Sequence, residues 1–139
     1  LKENKGKGNR FDQLINEIST TDADIIGLQE VTENFYNNLL LTKTDYDFCE
    51  FRQYTDEDEG LVILSKYPIK SCFFLNTSEE FDYSAALNVI FEADESCFSL
   101  TNVHLPWDSI KTQEEQIFHR KQPLASDHYG VVAEVDFIK

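Results

Sequence analysis

Apolar residues near the start of the chain recur with helical spacing: Phe11, Leu14, Ile15 and Ile18 fall at i, i+3, i+4 and i+7. This stripe predicts a helix that residues 20–22 end. Residues 1–10, rich in Lys, Gly and Asn, read as a loop or frayed end ahead of it, with Asn9 a candidate cap. Residues 24–28 (DIIGL) are a short unbroken apolar run, the length and type of a buried strand. Thr32 suits the N-cap of a second, short helix over residues 33–41, with Phe35 and Leu39 on one face. The pattern then changes. Residues 46–51, 61–66, 69–75, 84–93 and 97–104 are aromatic or β-branched runs separated by turn or acidic residues, and each predicts a strand. Tyr67-Pro68 reads as a tight connection between two of them, and the acids at 56–59 as a solvated loop. Residues 108–118 have helical character, with Ile110, Ile117 and Phe118 apolar among charges, and residues 129–137 (YGVVAEVDF) read as a closing buried strand. No repeat or linker divides the chain, so residues 1–139 are expected to form a single layered domain of the α/β or α+β class.

Composition narrows this picture. At 139 residues and 41% hydrophobic, with eleven Phe, six Tyr and one Trp, the chain can build a core, which excludes global disorder. No stretch approaches the roughly 20 apolar residues of a membrane span, and no apolar run stands at the N-terminus as a signal peptide would. Cys49, Cys72 and Cys97 are odd in number and far apart. They predict reduced, buried thiols in an intracellular protein, of cytoplasm or nucleus, rather than a disulfide scaffold. With 12 Lys and Arg against 26 Asp and Glu, the net charge is −14. A surface so acidic repels nucleic acid, acidic lipid and polyphosphates alike, so an anionic substrate needs bound cations or a local basic patch. The chain starts at Leu1 and contains no Met, as expected of a segment of a longer product.

Three strings put polar groups at the ends of apolar strands, where ligands bind in layered α/β folds. In Leu28-Gln29-Glu30-Val31 an acid immediately follows the predicted strand. In Thr101-Asn102-Val103-His104-Leu105 a histidine stands at a strand's end. In Ser126-Asp127-His128-Tyr129-Gly130 an acid and a histidine precede the last strand. A carboxylate beside an imidazole can fix its tautomer or raise its pKa, but adjacent strand residues face opposite ways, so Asp127 and His128 need not touch.

The ordered set ADIIGLQEV (23–31), GLVILSKYPI (60–69), LTNVHL (100–105) and SDHYGVVAEV (126–135) resembles the endonuclease/exonuclease/phosphatase superfamily, the deoxyribonuclease-I-like proteins. The resemblance implies a four-layer α/β/β/α sandwich, two sheets face to face with helices outside, here incomplete. It also implies hydrolysis of a phosphate ester, whether of nucleic acid, phospholipid or inositol phosphate, with Mg²⁺ or Mn²⁺ as cofactor. Carried over by position, Glu30 resembles the metal-holding carboxylate, and His104 the histidine that contacts the phosphate or protonates the leaving oxygen. Asp127 resembles the carboxylate near the metal and the attacking water, and His128 the histidine that stabilises or activates the attack. These types suit the chemistry. Mg²⁺ takes one or two carboxylates and keeps water and phosphate oxygens, and two histidines can handle the two proton transfers of an in-line displacement.

The departures from the family pattern are specific. The family's first strand, ending in Asn ahead of the first helix, would precede Leu1. A Gly-Asp-x-Asn element, whose Asp serves as base and whose Asn positions the phosphate, would lie between His104 and Ser126; residues 106–125 contain no Gly and no Asn. Ser84 stands where a basic residue often precedes the Ala85-Ala86-Leu87 strand, and the gap around residues 117–123 leaves His119 an expected surface residue. Three classes stay open: a metal-dependent phosphoesterase, an inactive remnant serving as a binding module, and a plain acidic interaction domain.

Overall fold

A computed structural model describes residues 10–42, 44–56, 58–77, 84–93 and 96–105. Along them run α1 (Arg10–Thr21), β1 (Ile25–Thr32), α2 (Glu33–Leu41), β2 (Phe48–Gln53), β3 (Glu59–Ser65), β4 (Ile69–Asn76), β5 (Ala85–Ala93) and β6 (Ser96–His104). The strands form two antiparallel sheets, ordered β1-β3-β2 and β4-β5-β6. The sheets lie face to face, with β3 against β5 and β6, and β1 against β6.

The unbroken apolar run of β3 follows from its place at the centre of the first sheet. Every residue from Gly60 to Ser65 is buried. Val62 and Leu64 join Ile18, Phe35 and Leu39 in a core between sheet and helices, while Leu61 and Ile63 join Leu87, Val89 and Phe91 in a core between the sheets. Two-residue periodicity sends alternate side chains to opposite faces, so a strand covered on both sides must be apolar at every position. β5, with one face on the second core, keeps the alternation: Ala85, Leu87, Val89 and Phe91 are buried and their neighbours less so.

Both described helices cover the outer face of the first sheet. α1 presents the expected stripe, with Phe11, Leu14 and Ile15 packed beside the buried Ile18. α2 starts where the Thr32 side chain accepts a hydrogen bond from the Phe35 amide at 3.2 Å, satisfying one of the free N–H groups of its first turn. The Phe11 and Phe35 rings meet edge to face at 5.1 Å and join the two helices. Gly60 is required by a close approach: a Cβ there would strike the Phe51 ring and stand 2.7 Å from the Arg52 carbonyl. Ser65 closes the tight Tyr67-Pro68 connection, its hydroxyl accepting from the Tyr67 amide and donating to the Tyr67 carbonyl, both at 2.9 Å.

Several expectations need correction. Arg10 already belongs to the helix, and Tyr46 lies ahead of β2, buried, with its hydroxyl donating to the Ala23 carbonyl at 2.8 Å. The acidic stretch at 56–59 is not all solvated loop, because Glu59 opens β3 and its carbonyl accepts from the Tyr54 amide. β1 continues to Thr32 instead of ending at residue 28. Of the expected buried thiols, Cys49 and Cys72 are half-buried but Cys97 is exposed; all three are free. The frayed start with Asn9, the helical stretch at 108–118 and the closing strand at 129–137 lie outside the described residues.

The β2 and β4 edges of the two sheets are joined by side chains. The Cys72 thiol donates to the Glu50 carboxylate at 3.3 Å and accepts from the Arg52 guanidinium at 3.3 Å, while Arg52 also pairs with Glu50. Burial, and then the Glu50 hydrogen bond, push the Cys72 thiol above its usual range; burial does the same for Cys49. The thiolate is the reactive form. Iodoacetamide at neutral pH is therefore expected to label Cys97 first, with Cys49 and Cys72 following only as pH rises or the fold opens, as peptide mass spectrometry would show.

The double burial of β3 makes a second expectation. Ile63→Ala empties space in the core between the sheets and should cost about 2–5 kcal/mol, whereas Leu41→Ala, at an 86% exposed site, should stay within about 0.5 kcal/mol. Urea denaturation of the two variants measures the contrast.

Candidate active site

Glu30 owes its position to an interruption in β1. Leu28 pairs with Val62 and Val31 with Gly60, which leaves Gln29 and Glu30 together opposite Leu61. This is a β-bulge, and its second residue, Glu30, adopts left-handed backbone with φ of 54°. The extra residue turns the strand's side chains locally. Glu30 is therefore presented within the strand, at the edge of the first sheet, and not in a turn after it as the residue order suggests.

Among the described strands, β6 is the outer strand of the second sheet beside it. Asn102 and His104, two residues apart, share the face that looks across the sandwich. The His104 Nε2 lies 3.3 Å from a Glu30 carboxylate oxygen, although 74 positions separate the two in sequence. The imidazole side chain is 15% exposed and the carboxylate 40%, so the pair is anchored at its histidine end and open at its acid end. The Tyr54 ring, almost wholly buried, stacks on the His104 ring at 5.4 Å with the planes 25° apart and backs it from the core side.

Two amides complete this corner. The Asn102 side chain donates to the Leu28 carbonyl at 2.9 Å and to the Val62 carbonyl at 3.1 Å. Gln29 donates from one nitrogen to the Asn102 side-chain oxygen at 3.2 Å and to the Val103 carbonyl at 2.6 Å. β1 and β6 are thus joined by polar contacts between the two sheets.

Of the residues singled out in the sequence, Glu30 and His104 are brought together here. Asp127, His128 and His119 lie outside the described residues. Sequence reasoning passed over Tyr54 and gave Asn102 no role. The two-residue spacing of Asn102 and His104 on one strand carried the second signal; nothing in the sequence ties Tyr54 to His104, because their contact depends on how two sheets stack. Among the described residues no three His, Cys, Asp or Glu side chains gather as a metal cluster. Glu30 and His104 supply two donors: a hard carboxylate, open to solvent, and a nitrogen beside it. That set can hold a cation, bind a phosphate through the imidazole, or pass a proton between imidazole and a bound group.

The backbone at Glu30 gives a direct test. An L-residue in the left-handed region costs roughly 1 kcal/mol, and a β-branched one costs more. Glu30→Gly is expected to raise the urea midpoint and Glu30→Val to lower it; equal midpoints would argue against the bulge.

Comparison with known proteins follows this geometry. The model of the Endonuclease/Exonuclease/phosphatase family matches residues 4–132. Among solved structures, TDP2 from Caenorhabditis elegans is similar at a TM-score of 0.56 and 17% identity, over 70% of this chain and 30% of that one. A truncated TDP2 from the same organism matches at a TM-score of 0.56 and 16% identity, over 69% of this chain and 39% of that one. A selenomethionine form gives 0.55 and 18%, over 69% and 29%. The chain therefore spans between about three tenths and two fifths of these structures' length, and the likeness is one of fold. No curated protein matches the chain.

Proposed function

Since the chain belongs to the endonuclease/exonuclease/phosphatase family, a family of phosphoesterases and nucleases, we propose that it is a metal-dependent phosphoester hydrolase whose cation and phosphate meet at Glu30 and His104. The observation that carries this reading is the Glu30 carboxylate, placed by a left-handed bulge residue 3.3 Å from His104. Strained backbone at a polar side chain is a common mark of a functional position. The donor set suits a hard divalent ion such as Mg²⁺ or Mn²⁺, which needs only one or two protein carboxylates. Glu30, with Asp127 as the second acid, would hold it. When bound, the ion polarises the phosphoryl oxygen and neutralises charge that develops in the displacement.

The chain's own groups do the rest. His104, fixed by Tyr54 behind it and Glu30 beside it, is oriented to bind a phosphate oxygen or to give a proton to the leaving oxygen. His128, next to Asp127, takes the role of stabilising the attack. The net charge of −14 disfavours tight, sequence-independent binding of long nucleic acid, so a small or locally held phosphate ester suits this surface better. Three free thiols favour a reducing, intracellular setting. No described helix is long and apolar enough to cross a membrane.

A second reading has its own support. Residues 106–125 contain neither Gly nor Asn, so the base and amide of a Gly-Asp-x-Asn element are absent there. General-base catalysis is typically worth about 10²–10⁴-fold, and turnover without it should be slow. A chain that keeps the cation and loses the rate would act as a phosphate-binding module.

Calorimetric titration with Mn²⁺ and hydrolysis of bis(p-nitrophenyl) phosphate separate these readings. We expect Mn²⁺ binding that Glu30→Gln weakens by at least about tenfold, and slow metal-dependent turnover that Glu30→Gln and His104→Ala abolish. Binding without turnover would favour the module. Equal isotherms for the wild-type chain and Glu30→Gln would overturn the metal site.

A further inference from the structure

We infer that Asn102 is a positioning residue whose buried amide sets the separation of Glu30 and His104. This rests on the proposed site, and it assigns the part of the fold that holds that site together. Three buried polar side chains occur among the described residues: Ser65, Ser84 and Asn102. Ser65 bonds within its own turn, and Ser84 meets Thr77 across the short gap between β4 and β5. Asn102 bonds from one sheet to the other. Leu61, Ile63, Leu87, Val89 and Phe91 make most of the core between the sheets, and a buried amide there is costly unless its hydrogens and oxygen all find partners.

They do find partners, and the partners flank the bulge. Both amide hydrogens go to the carbonyls of Leu28 and Val62, the last pair in register before Gln29 and Glu30 break the ladder. The amide oxygen accepts from Gln29, the first residue of the bulge. Asn102 thus fixes the backbone immediately before Glu30, and it stands on β6 two residues before His104. Apolar packing fixes the spacing of the sheets but not the direction of any one group; three directed bonds fix both. The separation of carboxylate and imidazole is set in this way by a residue that touches neither reacting group.

Gly27 supports the assignment. A Cβ at Gly27 would lie 3.3 Å from the Asn102 Cγ and from its amide nitrogen, a distance at which the amide has to yield. Glycine leaves the space the amide fills.

The test uses the whole chain. Asn102→Ala removes all three bonds, and Gly27→Ala pushes on the amide while leaving it in place, so the second variant serves if the first does not fold. Ile63→Ala, which opens space in the core between the sheets but removes none of the corner's hydrogen bonds, is the control for simple loss of stability. Two readouts are taken at constant pH: Mn²⁺ affinity by calorimetry, and the ¹⁵N shifts of the His104 ring in the metal-free protein, which report its tautomer and its contact with Glu30. We expect Asn102→Ala to weaken Mn²⁺ binding by about tenfold, as loss of a supporting contact to a metal ligand does. Gly27→Ala should weaken it less, and Ile63→Ala should leave it within about twofold. The His104 shifts should move in Asn102→Ala towards those of Glu30→Gln and stay unchanged in Ile63→Ala. Wild-type shifts in Asn102→Ala and Gly27→Ala, where Glu30→Gln moves them, would overturn the inference. If Glu30→Gln leaves Mn²⁺ binding unaltered, the metal reading fails by itself, and the shifts still decide the role of Asn102.

Discussion

The central strand β3 must satisfy two cores at once, and most of the fold follows from that demand. Leu61 and Ile63 face the second sheet while Val62 and Leu64 face the helices, so the middle of the strand that joins the layers is apolar at every position. Its neighbours inherit the constraint. Among the described strands, β1 and β2 pair with it on either side as the outer strands of the sheet, and Gly60 lets the Phe51 ring settle against the strand, where Tyr36 stacks on it at 5.0 Å. Because β3 carries the burial, the edge strands are free to carry polar groups.

The two edges use that freedom differently. At the β2 and β4 edge, Glu50, Arg52 and Cys72 satisfy one another, and the thiol that results is held in its protonated, less reactive form. At the β1 and β6 edge the polar groups are spread over a bulge. There the amides of Gln29 and Asn102 bond inward, leaving the Glu30 carboxylate open to solvent. The first arrangement is a closed staple. The second is a scaffold that ends in the Glu30 carboxylate beside an imidazole backed by Tyr54.

That contrast explains how a small part of a family fold can keep a recognisable corner. The chain matches the family over nearly its whole length and yet spans well under half of the similar solved structures. Glu30, His104, Asn102 and Tyr54 are set by strands that pack on β3, so the corner needs the sandwich to be intact locally.

Much of this was legible in the residues themselves. The stripe of Phe11, Leu14, Ile15 and Ile18, the cap at Thr32 and the helix at 33–41 are local, since spacing along a helix and the free amides of its first turn are properties of a few neighbouring residues. The strands beyond were legible to within a residue or two for the same reason, and the motif order identified the family. Strand pairing and sheet packing are not local. The order β1-β3-β2, the bulge that puts Glu30 inside β1, the stacking of Tyr54 on His104 and the amide of Asn102 bonded across 74 positions to Leu28 all depend on which edges meet. A carboxylate after an apolar run looks the same in sequence whether it points to solvent from a turn or is turned by a bulge. Only the fit of two sheets around β3 decided which, because the hydrogen bonds that hold the bulge come from the other sheet.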